Sequence, residues 1–323
     1  MRITRRAALG AGLAIAGAAR AQEAWPMRPV RIIVPFPAGG TTDLLARLYA
    51  QRLTETLGQS VVVENRGGGG GSIGADVVAK STDGHTLLFH NLTFSTTTAA
   101  LEFVGRAPHS VERDFAPITM GANVPLLLLA HPSLGVKDLR GFIAMAKART
   151  EPLFYGSTGP GSTMNLVGEV LKRDAGISMD HIPFRGAAPL VQDMLAGRIH
   201  FGGDQLSSSL GHVRGGALTA IGTLAAQRPS ALPEVPTVRE EGFPNAELLG
   251  WNGFFAPGRT PPAVLAKLHQ EITAAARHPE MIRRIREVGA EPGGDSPEEF
   301  GAAVRAQLAQ VRPLVAELQM RVE

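Results

Sequence analysis

Short apolar runs rich in branched residues alternate with stretches of helical periodicity along most of the chain, and this alternation restricts the fold more than any other feature. The run VRIIVPF (Val30 to Phe36) is followed by Leu44, Leu45, Leu48, Tyr49, Leu53 and Leu57 at helical spacing, ending at Gly58. SVVVEN (Ser60 to Asn65), a glycine-rich loop, the helical pattern Ile73 to Ala79 and HTLLFHN (His85 to Asn91) repeat that order. Strands separated by helices predict βαβ units and a parallel sheet.

The same order starts again with PLLLLAHP (Pro125 to Pro132), a helix over Val136 to Ala148, and PLFYGS (Pro152 to Ser157). A helix over Asn165 to Ala175, DHIPF (Asp180 to Phe184), a helix over Ala188 to Ala196, RIHFGG (Arg198 to Gly203) and LTAIGTL (Leu218 to Leu224) continue it. A proline-rich stretch from Arg228 to Pro244, the extended segment LLGWNGFFAP (Leu248 to Pro257) and two helical patterns complete the chain. The terminal helices need a sheet to cover, and the first unit lacks helices for one face. The division predicted is therefore one lobe from residues 27–124 plus 249–323 and a second from 125–248. The chain then crosses between lobes twice, which makes a hinge and a cleft.

Residues 1–21 read as an export signal: Arg2, Arg5 and Arg6 form a basic start, Ala7 to Ala19 a short apolar run, and Ala19-Arg20-Ala21 a small-x-small cleavage site. The apolar run is too short to span a bilayer. Arg5-Arg6 also fits a twin-arginine signal, a pattern that ordinary secretory signals share. A mature chain starting near Gln22 loses four arginines, which takes Lys+Arg from 32 to 28 against 29 Asp+Glu and the formal charge from +3 to −1. With no basic surplus and 5% aromatic residues, the composition excludes a nucleic-acid partner. The absence of cysteine excludes disulfides, thiolate metal sites, a cysteine nucleophile and a lipid-anchored mature N-terminus. A freely diffusing periplasmic monomer is the expectation.

In an open α/β sheet, ligands sit beyond the carboxyl ends of strands, where strand-to-helix turns present backbone N–H groups. Pro37-Ala38-Gly39-Gly40-Thr41 is such a turn, with small residues that let a ligand approach the backbone and a helix end that favours an anion. Taken alone, the motif fits an ordinary turn capped by Thr41 or Thr42 better still. Gly156 to Thr163 (GSTGPGST) supplies a second such turn in the other lobe, and neither turn has a lysine or arginine nearby. Neutral donors at both turns suit reversible capture of a carboxylate.

Other motifs point to less. Gly69-Gly70-Gly71-Ser72-Ile73-Gly74 matches G-x-G-x-x-G, yet no acidic residue ends the next strand, so it reads as a flexible loop; no Gly-Lys-Ser/Thr follows any glycine run. Ser157 lies at a strand-to-helix turn, but Tyr155 stands where G-x-S-x-G requires glycine, which leaves an exported serine hydrolase acting through Ser157 or Ser162 as the rival reading. The nine histidines are scattered and read as surface or turn residues, without metal-ligand spacing. Asp204 follows a strand and fits either an acceptor for a ligand's amine or hydroxyl, or an N-cap for Gln205 to Val213.

The chain resembles the substrate-binding proteins of tripartite tricarboxylate transporters, the Bug family, over essentially its whole mature length. The resemblance is carried by RPVRIIVPFPAGGTTDLLAR, LGQSVVVENRGGGGGSIGA, DGHTLLF, YGSTGPGSTMNL, IPFRGAAPLVQDMLAGRI, LPEVPTVREEGFP and WNGFFAPGRTPPAVLAKLHQEI, in the family's order. It implies a type 2 periplasmic-binding-protein-like fold: two α/β lobes joined by two crossover strands around a central cleft. It also implies a non-enzymatic receptor that closes on a small organic carboxylate and delivers it to a membrane permease, or serves a membrane sensor kinase, with no cofactor and no metal. By position, the family's carboxylate-holding turns fall on Phe36, Pro37, Ala38, Gly39, Gly40 and Thr41, and on Ser157, Thr158, Gly159, Gly161, Ser162 and Thr163. The sequence departs from the family's pattern at Gly67, Ser72 and Asn165, and at Asn91-Leu92-Thr93, the last of these departures lying near the expected pocket.

Overall fold

The computed structural model describes residues 25–151 and 153–322, and its strands sort into two sheets. The first is ordered β11 (Glu291–Pro292), β4 (Phe115–Asn123), β10 (Trp251–Pro257), β3 (Thr86–Asn91), β1 (Val30–Val34) and β2 (Val61–Asn65). The second is ordered β7 (Met179–Pro183), β6 (Leu153–Ser157), β8 (Phe201–Gln205), β5 (Leu126–Ala130) and β9 (Thr219–Thr223). The export-signal segment, residues 1–21, lies outside the described residues.

The sheets are mixed rather than parallel. β1 pairs in parallel with β2 and β3, and β6 with β7 and β8, as βαβ units demand. β10, however, runs antiparallel to β3 and β4, and β5 antiparallel to β8 and β9. These two strands arrive from the other sheet without a helical crossover, so nothing forces them parallel to their neighbours.

Helix α1 (Thr41–Leu57) follows β1 and ends at Gly58, whose φ of 64° supplies the left-handed cap. Helix α2 (Ser72–Ala79) follows β2. Between β3 and β4, where the sequence pattern yields no element, lie α3 (Thr93–Phe103) and the single turn α4 (Val111–Asp114). The first eight residues of α3 are all buried and include four threonines, so tertiary contacts rather than propensity make it helical. Helix α5 (Leu139–Lys147) begins three residues later than expected, because the Asp138 carboxylate accepts from the Gly141 amide at 2.7 Å and sets the start.

In the second lobe α6 (Thr163–Ala175) follows β6, α7 (Ala187–Leu195) follows β7, and α8 (Leu206–Arg214) follows β8. The chain then returns to the first sheet, where α9 (Pro262–Ala276), α10 (Pro279–Glu287) and α11 (Pro297–Glu317) follow β10. Helix α9 packs on α1 and β4, and α11 on α3 and β4. The α11 start is a capping box, in which Ser296 and Glu299 each bond the other's backbone amide. Phe300 of α11 packs against Trp251 and Phe255 on one face of β10, whereas Phe254 packs against Tyr49 and Phe89 on the other, and all four are fully buried.

The chain passes between the sheets at Val124–Pro125 and again between Leu224 and Gly250. The two passages are joined where the Val124 amide donates to the Gly250 carbonyl at 2.8 Å, and within the second the Leu248 amide donates to the Leu224 carbonyl at 2.9 Å.

Candidate functional site

Five helices begin at one place. The first turns of α1, α3, α6, α7 and α8 present Thr41, Thr93, Thr163, Ala187 and the α8 N-cap Gln205 to a single pocket of about 530 Å³ between the lobes. Each follows a strand directly or after a short turn, so the βα connections of both sheets deliver their helix N-termini to the gap. The first N–H groups of a helix have no intrahelical acceptor and carry the positive end of its dipole.

A neutral hydrogen-bond network joins the walls. Thr41 Oγ1 lies 2.8 Å from Ser208 Oγ and accepts from the Ser208 amide at 3.1 Å. Asn91 Nδ2 donates to Thr42 Oγ1 at 3.0 Å, that hydroxyl donates to Asn252 Oδ1 at 2.9 Å, and Asn252 Nδ2 donates to Gln205 Oε1 at 3.1 Å. Thr93 and Thr96 hydroxyls each sit 3.2 Å from Thr163 Oγ1.

Among the described residues, the charged side chains of the lining are Asp43 and Asp204, and no lysine or arginine contributes. Burial raises the Asp43 pKa, but hydrogen bonds from Arg47, Asn65 and the Gly39 amide outweigh it and hold the carboxyl below its ordinary value. For Asp204 burial wins, and the pKa is raised even though Ser208, Ser209 and the Gln205 amide all donate to it. Those bonds saturate the inner side of the Asp204 carboxylate and tie it to the first turn of α8, whose N-cap is Gln205 and not Asp204.

Of the residues singled out in the sequence, Phe36, Pro37, Gly40, Thr41, Asn91, Thr158, Thr163 and Asp204 line this pocket. Ala38, Gly39, Ser157, Gly159, Gly161 and Ser162 do not. Ala38 and Gly39 are exposed at the turn's tip, and the Gly39 amide is taken by Asp43 Oδ2 at 3.1 Å. Gly39 is required by its φ of 94°; a Cβ there would meet nothing within 4 Å, so close approach is not its role. Gly161 has a φ of 75° and supports the α6 start through its amide, which donates to Asn165 Oδ1 at 2.9 Å. The Ser162 hydroxyl is buried and has no partner among the described residues.

Ser157 is fully buried, and its Oγ accepts from the Gly159 amide at 3.1 Å and lies 2.7 Å from His181 Nε2. Burial lowers the His181 pKa, and among the described residues its Nδ1 has the Asn165 amide nitrogen as its hydrogen-bond partner, at 3.5 Å. The pair braces the turn from inside.

Two expectations about the first lobe fail. His90 and His109 are buried rather than superficial, because β3 runs through the middle of the sheet and α3 covers it. Burial pushes the His90 pKa down to about 3, so the ring is neutral and stacks on Phe94 with centroids 4.6 Å apart. The glycine segment 68–71 is a packed turn rather than a flexible loop: Gly70 and Gly71 are buried, and a Cβ on Gly71 would lie 2.6 Å from His90 Nε2.

The site residues chosen from the sequence do not include Thr42, Asp43, Leu92, Thr93, Leu126, Met164, Ala187, Gly203 and Gln205 of the lining, although the departure at Asn91-Leu92-Thr93 is placed near the pocket. Ala187 and Gln205 follow strand-to-helix turns like the two that were chosen, so the same rule applied to FRGAAP and GGDQLS finds them. Thr93 is reached only through its departure from the family's pattern, since its helix is not legible.

The model of the tripartite tricarboxylate transporter family receptor matches residues 45–320. Among solved structures, the chain is similar to R. palustris Rpa4515 with adipate, at 34% identity and a TM-score of 0.85, covering 92% of this chain and 99% of that one. The periplasmic binding protein BugD is 31% identical with a TM-score of 0.84, covering 92% and 99%. MatC from Rhodopseudomonas palustris with bound malate is 30% identical with a TM-score of 0.83, covering 90% and 100%. Family and fold are those of solute-binding proteins, and no helix among the described residues is long and apolar enough to cross a membrane. Two α/β lobes around a pocket of convergent helix N-termini, matched over nearly the whole length by these receptors, make the chain a member of the tripartite tricarboxylate transporter receptor family.

Proposed function

We propose that this protein is a periplasmic receptor that captures a small organic carboxylate between its lobes and delivers it to the membrane permease of a tripartite tricarboxylate-type transporter. The observation that carries this reading is the convergence of five helix N-termini on a pocket that no lysine or arginine lines among the described residues. Dipole ends and hydroxyls stabilise an anion without a fixed counter-ion, which suits a ligand that must be released again. Relatives with adipate and malate bound support the choice of carboxylate. The ligand-binding residues assigned are those of the two turns and neighbouring helix starts that line the pocket, above all Gly40, Thr41, Thr93, Thr158, Thr163 and Ala187.

The lobe boundaries fall at Val124–Pro125 and at Leu248–Gly250, where the paired passages act as the hinge. Residues 1–21 are removed on export, and the mature monomer binds without metal or cofactor. The Ser157–His181 contact does not carry the hydrolase reading, since the Ser157 hydroxyl is held inside its turn and neither Ser157 nor Ser162 lines the pocket.

Thermal-shift titration of the mature protein against mono-, di- and tricarboxylates, with neutral sugars and amines as controls, tests the proposal. A ligand present at a hundredfold its Kd adds about 2.7 kcal/mol to stability, so the right acid raises the Tm. A response to a sugar or an amine, with none to any carboxylate, overturns the reading.

A further inference from the structure

Both acids of the pocket are buried, and among the described residues only Asp43 is paired with a cation. The Asp43 carboxylate holds the Arg47 guanidinium at 2.9 Å and accepts from Asn65 Nδ2 at 2.9 Å and from the Gly39 amide at 3.1 Å. Asp204 is 4% exposed at the end of β8, and its donors among the described residues are neutral. The hydroxyls of Ser208 and Ser209 both reach its Oδ2 at 2.6 Å, and the Gln205 amide reaches its Oδ1 at 2.9 Å. Each carboxylate oxygen carries two lone pairs. Oδ2 is therefore saturated, while Oδ1 keeps one position for a further partner in a side chain that lines the pocket.

Few titratable groups surround Asp204. Asp43 lines the same pocket from α1, with Arg47 behind it, and His212 lies further along α8. The lining contributed by α3, β5, the turn after β6, α6 and α7 includes Thr93, Leu126, Thr158, Met164 and Ala187, none of which titrates. Burial raises the Asp204 pKa, and the hydrogen bonds from Ser208, Ser209 and Gln205 and the charge of His212 offset it only in part.

A ligand carboxylate among the helix N-termini adds a second negative charge beside one that already lacks a counter-ion. Two carboxylates sharing a site resist ionising together, and a proton held between them turns their repulsion into a charge-assisted hydrogen bond. Arg47 keeps Asp43 ionised, so Asp204 is the acid that yields. We propose that capture of a carboxylate is coupled to uptake of one proton from solvent, which settles on Asp204 Oδ1 and donates to the ligand. Affinity then rises in acid medium and falls as the pH climbs. The inference rests on the carboxylate-receptor reading above.

Isothermal titration calorimetry of the mature protein with butyrate, benzoate, malate, adipate and citrate first selects an acid that binds. With that acid, titrations from about pH 5 to about pH 9, a window above the ordinary aspartate pKa, in buffers of low and high ionisation enthalpy, count the protons taken up. Asp204→Asn keeps the shape and offers an N–H donor in place of the acid's O–H. Run in parallel, it cancels the contributions of histidines and of the ligand's own titration. Over part of the range the wild type takes up more protons than Asp204→Asn, and there its affinity falls more steeply, by up to about tenfold per pH unit. Asp204→Asn binds at least as tightly as wild type at the alkaline end. Equal proton counts and parallel affinity profiles overturn the proton linkage and leave the carboxylate reading standing. Failure of the wild type to bind any of the five acids overturns both. If the Tm of Asp204→Asn shows misfolding, infrared difference spectra of wild type carrying isotopically labelled aspartate decide: a protonated aspartic carboxyl that appears on binding supports the linkage, and its absence overturns it.

Discussion

Asp204 sets desolvation against hydrogen bonding at a single carboxyl. It is buried among the hydroxyls of Ser208 and Ser209 and the Gln205 amide, yet burial keeps its pKa above the ordinary value. An acid whose native pKa is raised stabilises the fold fully below its unfolded pKa, and that contribution is lost as the pH climbs through the raised native value. Urea unfolding from mildly acid to neutral pH should therefore show the wild type losing stability relative to Asp204→Asn as the pH rises. Parallel pH profiles would show that Asp204 does not titrate in this range. Such balances are not legible in the sequence: Asp204 is recognisable as the residue after a strand, but its surroundings come from a helix start and a lobe contact. Gly39 makes the same point, since its glycine is predictable while the capture of its amide by Asp43 is not.

Helix α3 is the element that sequence reading loses and the site needs. Its threonines are poor helix formers in water, and their hydroxyls find partners only when β3, the glycine turn and the α6 start surround them. Thr97 is the clearest case, with its Oγ1 donating to Gly70 O at 3.1 Å and lying 3.5 Å from Gly161 O. Thr97→Val keeps the shape but puts a methyl against two carbonyls, and should cost about 1 to 3 kcal/mol, the scale of an unsatisfied buried polar group. Chemical denaturation measures this; a loss below about 0.5 kcal/mol would mean the hydroxyl contributes little beyond its volume. The strand-to-helix turns, by contrast, are legible because a branched apolar run, small residues and a helical pattern follow one another within each segment.

At the scale of the whole molecule, the two passages between lobes decide whether a cleft exists. At Gly250 an added Cβ would lie 2.0 Å from the Val124 carbonyl oxygen, and neither backbone can yield without separating the passages. Gly250→Ala should therefore destabilise the protein by about 1 to 3 kcal/mol, as overpacking does, and weaken carboxylate binding. Gly211→Ala is the control: it is exposed on α8 with nothing within 4 Å of the new Cβ, and should be neutral or stabilise by up to about 1 kcal/mol. Equal stability of the two variants by urea unfolding would remove the hinge from consideration as a tightly packed joint.

The sequence alone determined the alternation of strands and helices, the two sets of elements and the glycine-ended turns, because each of these is written in the spacing of neighbouring residues. Only the tertiary structure decided that β5 and β10 run against their neighbours, that residues 93–103 are helical, and which turn residues face the pocket. Those features depend on contacts between segments far apart in the chain, such as Thr41 with Ser208 and Thr93 with Thr163, and local periodicity carries no record of such contacts.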